Sequence, residues 1–157
     1  MRLHTSAERM TLARKLENES AKFYEDLAQR YARYADTFLS FAKENKRNIV
    51  DLNRTYNWVI TDAIEGCYCL DIDPDDYTSE TGLDEEVSFS DVLNKAVEME
   101  ERIIKFYSEA AAQSKPLMAD IPRAFSLVAK KRSARLAQLG SLAGNESNAS
   151  GQTSESE

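Results

Sequence analysis

Glu17 and Glu100 are each separated by five residues from a Phe-Tyr pair, Phe23-Tyr24 and Phe106-Tyr107. Asn45 falls between the apolar residues Ala42 and Ile49, with Asn48 three residues further on. Arg132 falls between Val128 and Leu136, with Arg135 three residues further on. Residues three and four apart share one face of a helix, so these polar side chains lie in the same stripes as their apolar neighbours. A charged group on a buried stripe needs a partner, because desolvating it alone is costly. Two chemistries answer that need. Carboxylates suit hard cations, and they also suit the planar fork of a guanidinium, which can pair with them bidentately. Two Glu and two Arg sum to zero charge, which favours the second.

Other reactive residue types carry less. Cys67 and Cys69 are the only cysteines and stand two apart. That is too few for a disulfide framework and only half of a typical zinc site. They are read as reduced thiols. His4, the single histidine, is read as a solvated residue near the start. Asp71, Asp73 and Asp75 alternate as in a calcium loop, but Asp76 stands where that loop needs Gly and Gly82 where it needs Glu. A solvated acidic run accounts for them better.

The chain has 157 residues, enough for one domain with a sizeable core. Its 42% hydrophobic and 30% charged content is that of a water-soluble globular chain. A formal charge of -7 disfavours nucleic acid and anionic membrane as partners. No run of roughly 18 apolar residues could span a bilayer. The opening MRLHTSAERM lacks the apolar centre of a signal peptide, so a cytoplasmic location is expected.

Four segments with helical periodicity position the polar residues. The first runs from about Thr5 to Tyr34, with Thr5 and Glu8 as a capping box and a stripe of Met10, Ala13, Leu16, Ser20, Tyr24, Leu27 and Tyr31. The second runs from about Asp36 to Thr61. The third runs from about Ser90 to Ser114, and the fourth from Ile121, with Pro122 in its first turn, to about Leu142. The first and third joins are short, so each pair should form an antiparallel hairpin. The expected architecture is all-α: an antiparallel four-helix bundle of two hairpins, spanning residues 1–144 with a long acidic crossover at 62–89. Residues 145–157, NESNASGQTSESE, have nothing to bury and are expected to form a disordered polar tail.

The two hairpins read as copies. Ala13, Glu17, Phe23 and Tyr24 fall in register with Ala96, Glu100, Phe106 and Tyr107. Phe38, Ala42, Lys43 and Leu52 fall in register with Phe125, Ala129, Lys130 and Leu139. LENESAKFYEDLA and MEERIIKFYSEAA look like the first and third helices of rubrerythrin-like proteins of the ferritin-like superfamily. FLSFAKENKRNIVDL and FSLVAKKRSARLAQL resemble their second and fourth helices. The resemblance covers residues 5–142. It implies a carboxylate-bridged pair of irons held by one Glu on each of two helices and Glu-x-x-His on each of the other two. Glu17 and Glu100 match the single-Glu positions. The Glu-x-x-His positions hold Asn45 and Asn48 in the second helix and Arg132 and Arg135 in the fourth. A further family carboxylate would fall at Ile103 or Ile104, neither of which binds metal. The expected site is therefore a degenerate one, with Glu17, Asn45, Asn48, Glu100, Arg132 and Arg135 at former metal positions, Tyr24 and Tyr107 beside them, and no metal.

Three arrangements stay open on sequence alone. The arginines fill the vacated space and pair with the glutamates in a buried, metal-free core. Or they snorkel outward and leave Glu17 and Glu100 half-exposed. Or Glu17, Glu100 and Glu44 still hold one metal, although Glu44 stands about 100° around the helix from Asn45. The first arrangement leads to a non-catalytic structural or interaction protein, without cofactor, expected to form a homodimer or to bind a protein partner. Tyr56, Trp58, Val59 and Ile60 then offer a partner surface or pack under the crossover. The third leads to an iron-binding oxidoreductase or peroxidase with a non-standard site. That function is opposed by the missing histidines and by the lack of a Cys-x-x-Cys pair for a rubredoxin-like module.

Overall fold

The computed structural model describes residues 6–62, 88–114 and 120–152, and all regular structure in them is helical. Four long helices appear: α1 (Ser6–Arg30), α2 (Ala35–Asp62), α3 (Phe89–Ser114) and α4 (Asp120–Gln152). No strand occurs among the described residues. At 1.5 Å per residue each helix is roughly 40–50 Å long. None is long and apolar enough to cross a membrane.

The helices pack chiefly as two pairs, α1 with α2 and α3 with α4, and α2 also meets α4. Within the first pair, Glu25 meets Lys46, Ser20 meets Asn45, Glu17 meets Asn48 and Arg14 meets Asn53. The stripes predicted from spacing face one core, which includes Ala13, Leu16, Leu27, Phe38, Leu52, Ala96, Phe106, Ala110, Phe125 and Leu139. The sequence repeat is visible in the aromatic packing. Phe23 meets Tyr24 edge-on at 5.4 Å, and Phe106 meets Tyr107 edge-on at 5.1 Å. Tyr24 packs on Phe38 at 6.1 Å, and Tyr107 packs on the register-matched Phe125 at 5.9 Å.

The ends of the elements depart from the sequence reading in two places. The first helix stops at Arg30, short of Tyr34, and a 3-10 turn occupies Ala32–Tyr34. Tyr31, at φ -123° and ψ 79°, leaves the helical region. The break lets both Tyr31 and Tyr34 pack on Phe89 at 4.8 and 5.0 Å, which ties this turn to the start of α3. Ser88 caps that start, its Oγ accepting from the Asp91 N–H at 3.1 Å. At the other extreme, α4 keeps helical backbone to Gln152, past Gly144 where the sequence reading ends the bundle. No proline interrupts it there. Leu142 packs against the core, and Ala143, Gly144 and Asn145 after it are exposed. The crossover between α2 and α3, with Cys67, Cys69, Asp71, Asp73 and Asp75, lies outside the described residues, as do His4 and Thr5. The side chains of Trp58, Val59 and Ile60 do so too, while Tyr56 packs half-buried on the core.

Gly140 sits inside α4, exposed, with nothing within 4 Å of where a Cβ would be. Glycine in a helix interior costs about 0.5–1 kcal/mol relative to alanine. Gly140→Ala should therefore raise the urea unfolding free energy by about that amount. A decrease would mean that α4 is not continuous at this point.

Candidate functional site

One or two turns of each helix contribute to a buried polar cluster at the centre of the core. α1 supplies Glu17, Ser20 and Tyr24. α2 supplies Asn45 and Asn48, α3 supplies Glu100 and Tyr107, and α4 supplies Arg132 and Arg135. Every one of these side chains is buried. The spacing explains the convergence: Glu17, Ser20 and Tyr24, like Asn45 and Asn48 or Arg132 and Arg135, are three or four residues apart and share a helix face.

Arg132 lies between the two carboxylates. Its Nη1 donates to Glu100 Oε2 at 2.7 Å. Its Nε donates to Glu17 Oε1 at 3.1 Å, and Nη2 stands 3.0 Å from the same oxygen. Nη2 also reaches Asn45 Oδ1 at 3.2 Å, and Nη1 makes a long contact to Ser20 Oγ at 3.5 Å. Arg135 joins from one side. Its Nη1 donates to Glu100 Oε1 at 3.0 Å and to Asn45 Oδ1 at 2.8 Å. Its Nη2 donates to Glu44 Oε1 at 2.9 Å and to the Phe41 carbonyl at 3.2 Å. The same guanidinium lies over the Phe41 ring at 4.8 Å and the Tyr24 ring at 5.2 Å, a cation–π arrangement away from water.

The tyrosines cross-link the repeat reciprocally. Tyr24 of α1 donates to Glu100 of α3 at 2.7 Å, and Tyr107 of α3 donates to Glu17 of α1 at 2.8 Å. The symmetry ends at the other two helices, where Asn45 and Asn48 of α2 stand at the register positions of Arg132 and Arg135. Asn45 uses both ends, accepting from the arginines and donating to Ser20 Oγ at 3.0 Å. Asn48 donates weakly to Glu17 Oε2 at 3.4 Å. All four oxygens of Glu17 and Glu100 thus accept hydrogen bonds. Asn48 Oδ1 and Arg135 Nε are buried without a hydrogen-bond partner.

Electrostatics follows the geometry. Burial by itself would raise the Glu100 pKa, yet Arg132 and Arg135 outweigh it and hold the carboxyl below its usual range. Burial would lower Arg132, yet Glu100 and Glu17 outweigh that and hold its proton more tightly than usual. Burial, reinforced by the adjacent carboxylates, pushes Tyr24 and Tyr107 well above the usual phenol value. Glu100 is therefore held as a carboxylate, Arg132 as a guanidinium ion, and Tyr24 and Tyr107 as neutral phenols. A pair of irons does not fit this donor set. Arg132 fills the gap between the carboxylates, and Asn45 and Asn48 bring no negative charge. Among the described residues no three His, Cys, Asp or Glu side chains form a group that could hold an ion.

All eight residues selected from sequence come together here. Two participants, Ser20 and Glu44, and one buried cation outside the cluster, Arg9, are not among those eight. Ser20 was read as an ordinary stripe position, although its place three residues after Glu17 marks it as a neighbour. Glu44 was weighed as a metal ligand, but it caps Arg135 from a side chain 37% exposed. Arg9 is buried one end further along α1 and donates to the Ala110 carbonyl at 3.2 Å, with burial pulling its pKa down to about 10. Its spacing of four from Ala13 carried the signal. Comparisons with protein-family models, curated proteins and solved structures find no match to this chain.

Two predictions follow from the buried charges. Removing one member of a buried ion pair costs about 3–5 kcal/mol because it strands the other. Arg132→Ala should lose about that much in chemical denaturation, while Lys130→Ala on the exposed face should stay within about 0.5 kcal/mol. Equal small losses would show that Arg132 is not held in a pair. The pH profile has two edges. The depressed Glu100 pKa contributes stability present above the ordinary carboxyl value of 4.5 and lost as pH falls through the folded value. The raised tyrosine pKa values contribute stability present below the ordinary value of 10.0 and lost as pH rises beyond it. Tyr107→Phe should flatten the alkaline edge in urea midpoints measured against pH; an unchanged alkaline edge would contradict the assignment.

Proposed function

We propose that this chain is a non-catalytic ferritin-like, rubrerythrin-like protein in which a Glu/Arg/Asn polar core replaces a two-iron site, and that it serves a structural or interaction role. The observation that carries this reading is the Arg132 guanidinium between Glu17 and Glu100, at 3.0 and 2.7 Å. A guanidinium cannot be deprotonated under ordinary conditions, so its charge stays where a dication would need to bind. The antiparallel arrangement of two hairpins is part of the proposal. It is supported by the α1–α2 contacts, in which ascending positions on α2 meet descending positions on α1. The reciprocal Tyr24–Glu100 and Tyr107–Glu17 bonds support descent of the two hairpins from one ancestor. Self-association as a homodimer, or a protein partner, belongs to the same proposal. Leu39 and Val50 on α2 and Leu127 on α4 are large apolar residues left exposed in the single chain.

The test is to convert the cluster back. Asn45→Glu, Asn48→His, Arg132→Glu and Arg135→His together would create two Glu-x-x-His faces opposite Glu17 and Glu100. Four carboxylates without metal repel, so the metal-free variant should be less stable than the parent. Metal that binds only the folded state should restore stability by mass action. The expected outcome is cobalt- or iron-dependent stabilisation of the variant in thermal melts and none in the parent. A folded variant that binds no metal would overturn the helix register. A parent that retains about two irons per chain after iron-replete growth would overturn the replacement and restore the oxidoreductase function.

A further inference from the structure

The surface of the helix pairs is not uniform in how it handles its charges. Several exposed lysines elsewhere are matched by nearby acids: Lys15 with Glu19, Lys46 with Glu25 and Lys105 with Glu109. Lys22 and Lys43 stand exposed without an ion pair among the described residues, and further unmatched cations gather on the α2–α4 side. There a groove of about 440 Å³ runs between the helices. Leu52, Ala124, Leu127 and Val128 form apolar wall, and Leu127 is 52% exposed. Arg54, Arg123 and Lys131 line it and carry no ion pair among the described residues. Arg47 and Lys130 extend the positive surface next to it, both exposed and likewise without an ion pair. Asp51 and Asp120 also line the groove, so the sign is reduced but not reversed. This concentration of unmatched cations sits on a chain whose formal charge is -7.

An apolar groove bordered by unmatched cations is complementary to one kind of polypeptide surface: an amphipathic helix with apolar residues on one face and Asp or Glu beside them. Two or three such apolar side chains fit a groove of this size, and helix-in-groove docking uses residues at i, i+3, i+4 and i+7. Charge complementarity steers the encounter and fixes orientation, while the apolar contact holds the complex. The groove also touches the buried cluster, because Asn48 lines it and donates to Glu17. We infer that the α2–α4 groove is the docking site for an acidic amphipathic helix of a partner protein. This rests on the interaction role proposed above and names its surface and the chemistry of its partner.

The probe is a fluorescein-labelled helical peptide with Leu on one face and Glu on the other, titrated with the full chain and followed by anisotropy. Binding should be saturable and should weaken as salt rises. Arg54→Glu with Arg123→Glu and Lys131→Glu should weaken it at least roughly tenfold, and Leu127→Ser alone by several-fold. All four positions are at the surface or groove wall, and circular dichroism checks that the variants keep their helix content. A control peptide with Ser in place of Leu should not bind. Equal binding of the Ser peptide would reduce the site to non-specific charge attraction and overturn the proposal. So would an absence of binding, or retention of full affinity in the triple variant. Co-sedimentation with phosphatidylserine vesicles that is lost in the triple variant, with no peptide binding, would assign the surface to membranes instead. These outcomes do not bear on iron content, so failure here and failure of the metal-free core are read separately.

Discussion

A guanidinium ion with no access to water dominates the interior of this protein. Arg132 makes four hydrogen bonds and one further ion-pair contact to acceptors drawn from three other helices: Glu17 and Ser20, Asn45, and Glu100. Each acceptor fixes the rotation of its own helix about its axis, since turning any one would strip a hydrogen bond from a fully desolvated charge. Apolar packing alone tolerates small rotations and exchanges of shape. The polar cluster does not, because a half-satisfied buried network is worse than none. The apolar stripes hold the helices together, and the charges select one relative setting among those the stripes would allow.

Much of this is legible in the sequence. The four periodic segments predict the helices and the core face, and interruptions of the apolar stripes by Asn45 and Arg132 mark the buried polar residues. What the sequence lacked was distance. Nothing in the spacing tells whether Arg132 turns inward or follows its long stem to the surface. That choice is decided by Glu17 and Glu100, which lie on helices far away in the chain. Glu44 shows the same limit from the other side. Its helical angle puts it off the core face, yet Arg135 is long enough to reach it at 2.9 Å. The break at Tyr31 was hidden because the stripe runs on unchanged through it, and the reason for the break, Phe89, is supplied by α3.

The internal repeat gains meaning from where it fails. On α1 and α3 the matched residues perform matched tasks, each tyrosine binding the opposite glutamate. On α2 and α4 the matched positions hold amides in one helix and cations in the other. A symmetrical choice would leave four arginines facing two carboxylates, or four amides leaving two carboxylates unneutralised. Only the asymmetric combination balances charge within the buried set. The unmatched Oδ1 of Asn48 and Nε of Arg135 are the residue of that compromise.

The division of the cluster between the two helix pairs has a bearing on how the chain reaches its native state. Each helix pair is local in sequence and has apolar contacts of its own. Yet α1 and α2 bring Glu17 to the buried centre with no cation of the cluster, while α3 and α4 bring one glutamate and two arginines. Neither half can be dehydrated by itself without sealing in a net charge. Docking is thereby tied to neutralisation, so an isolated helix pair would bury an unpaired charge. The folding of this chain is expected to be cooperative across both halves, with the ion pairs acting as the link that makes two local units into one transition.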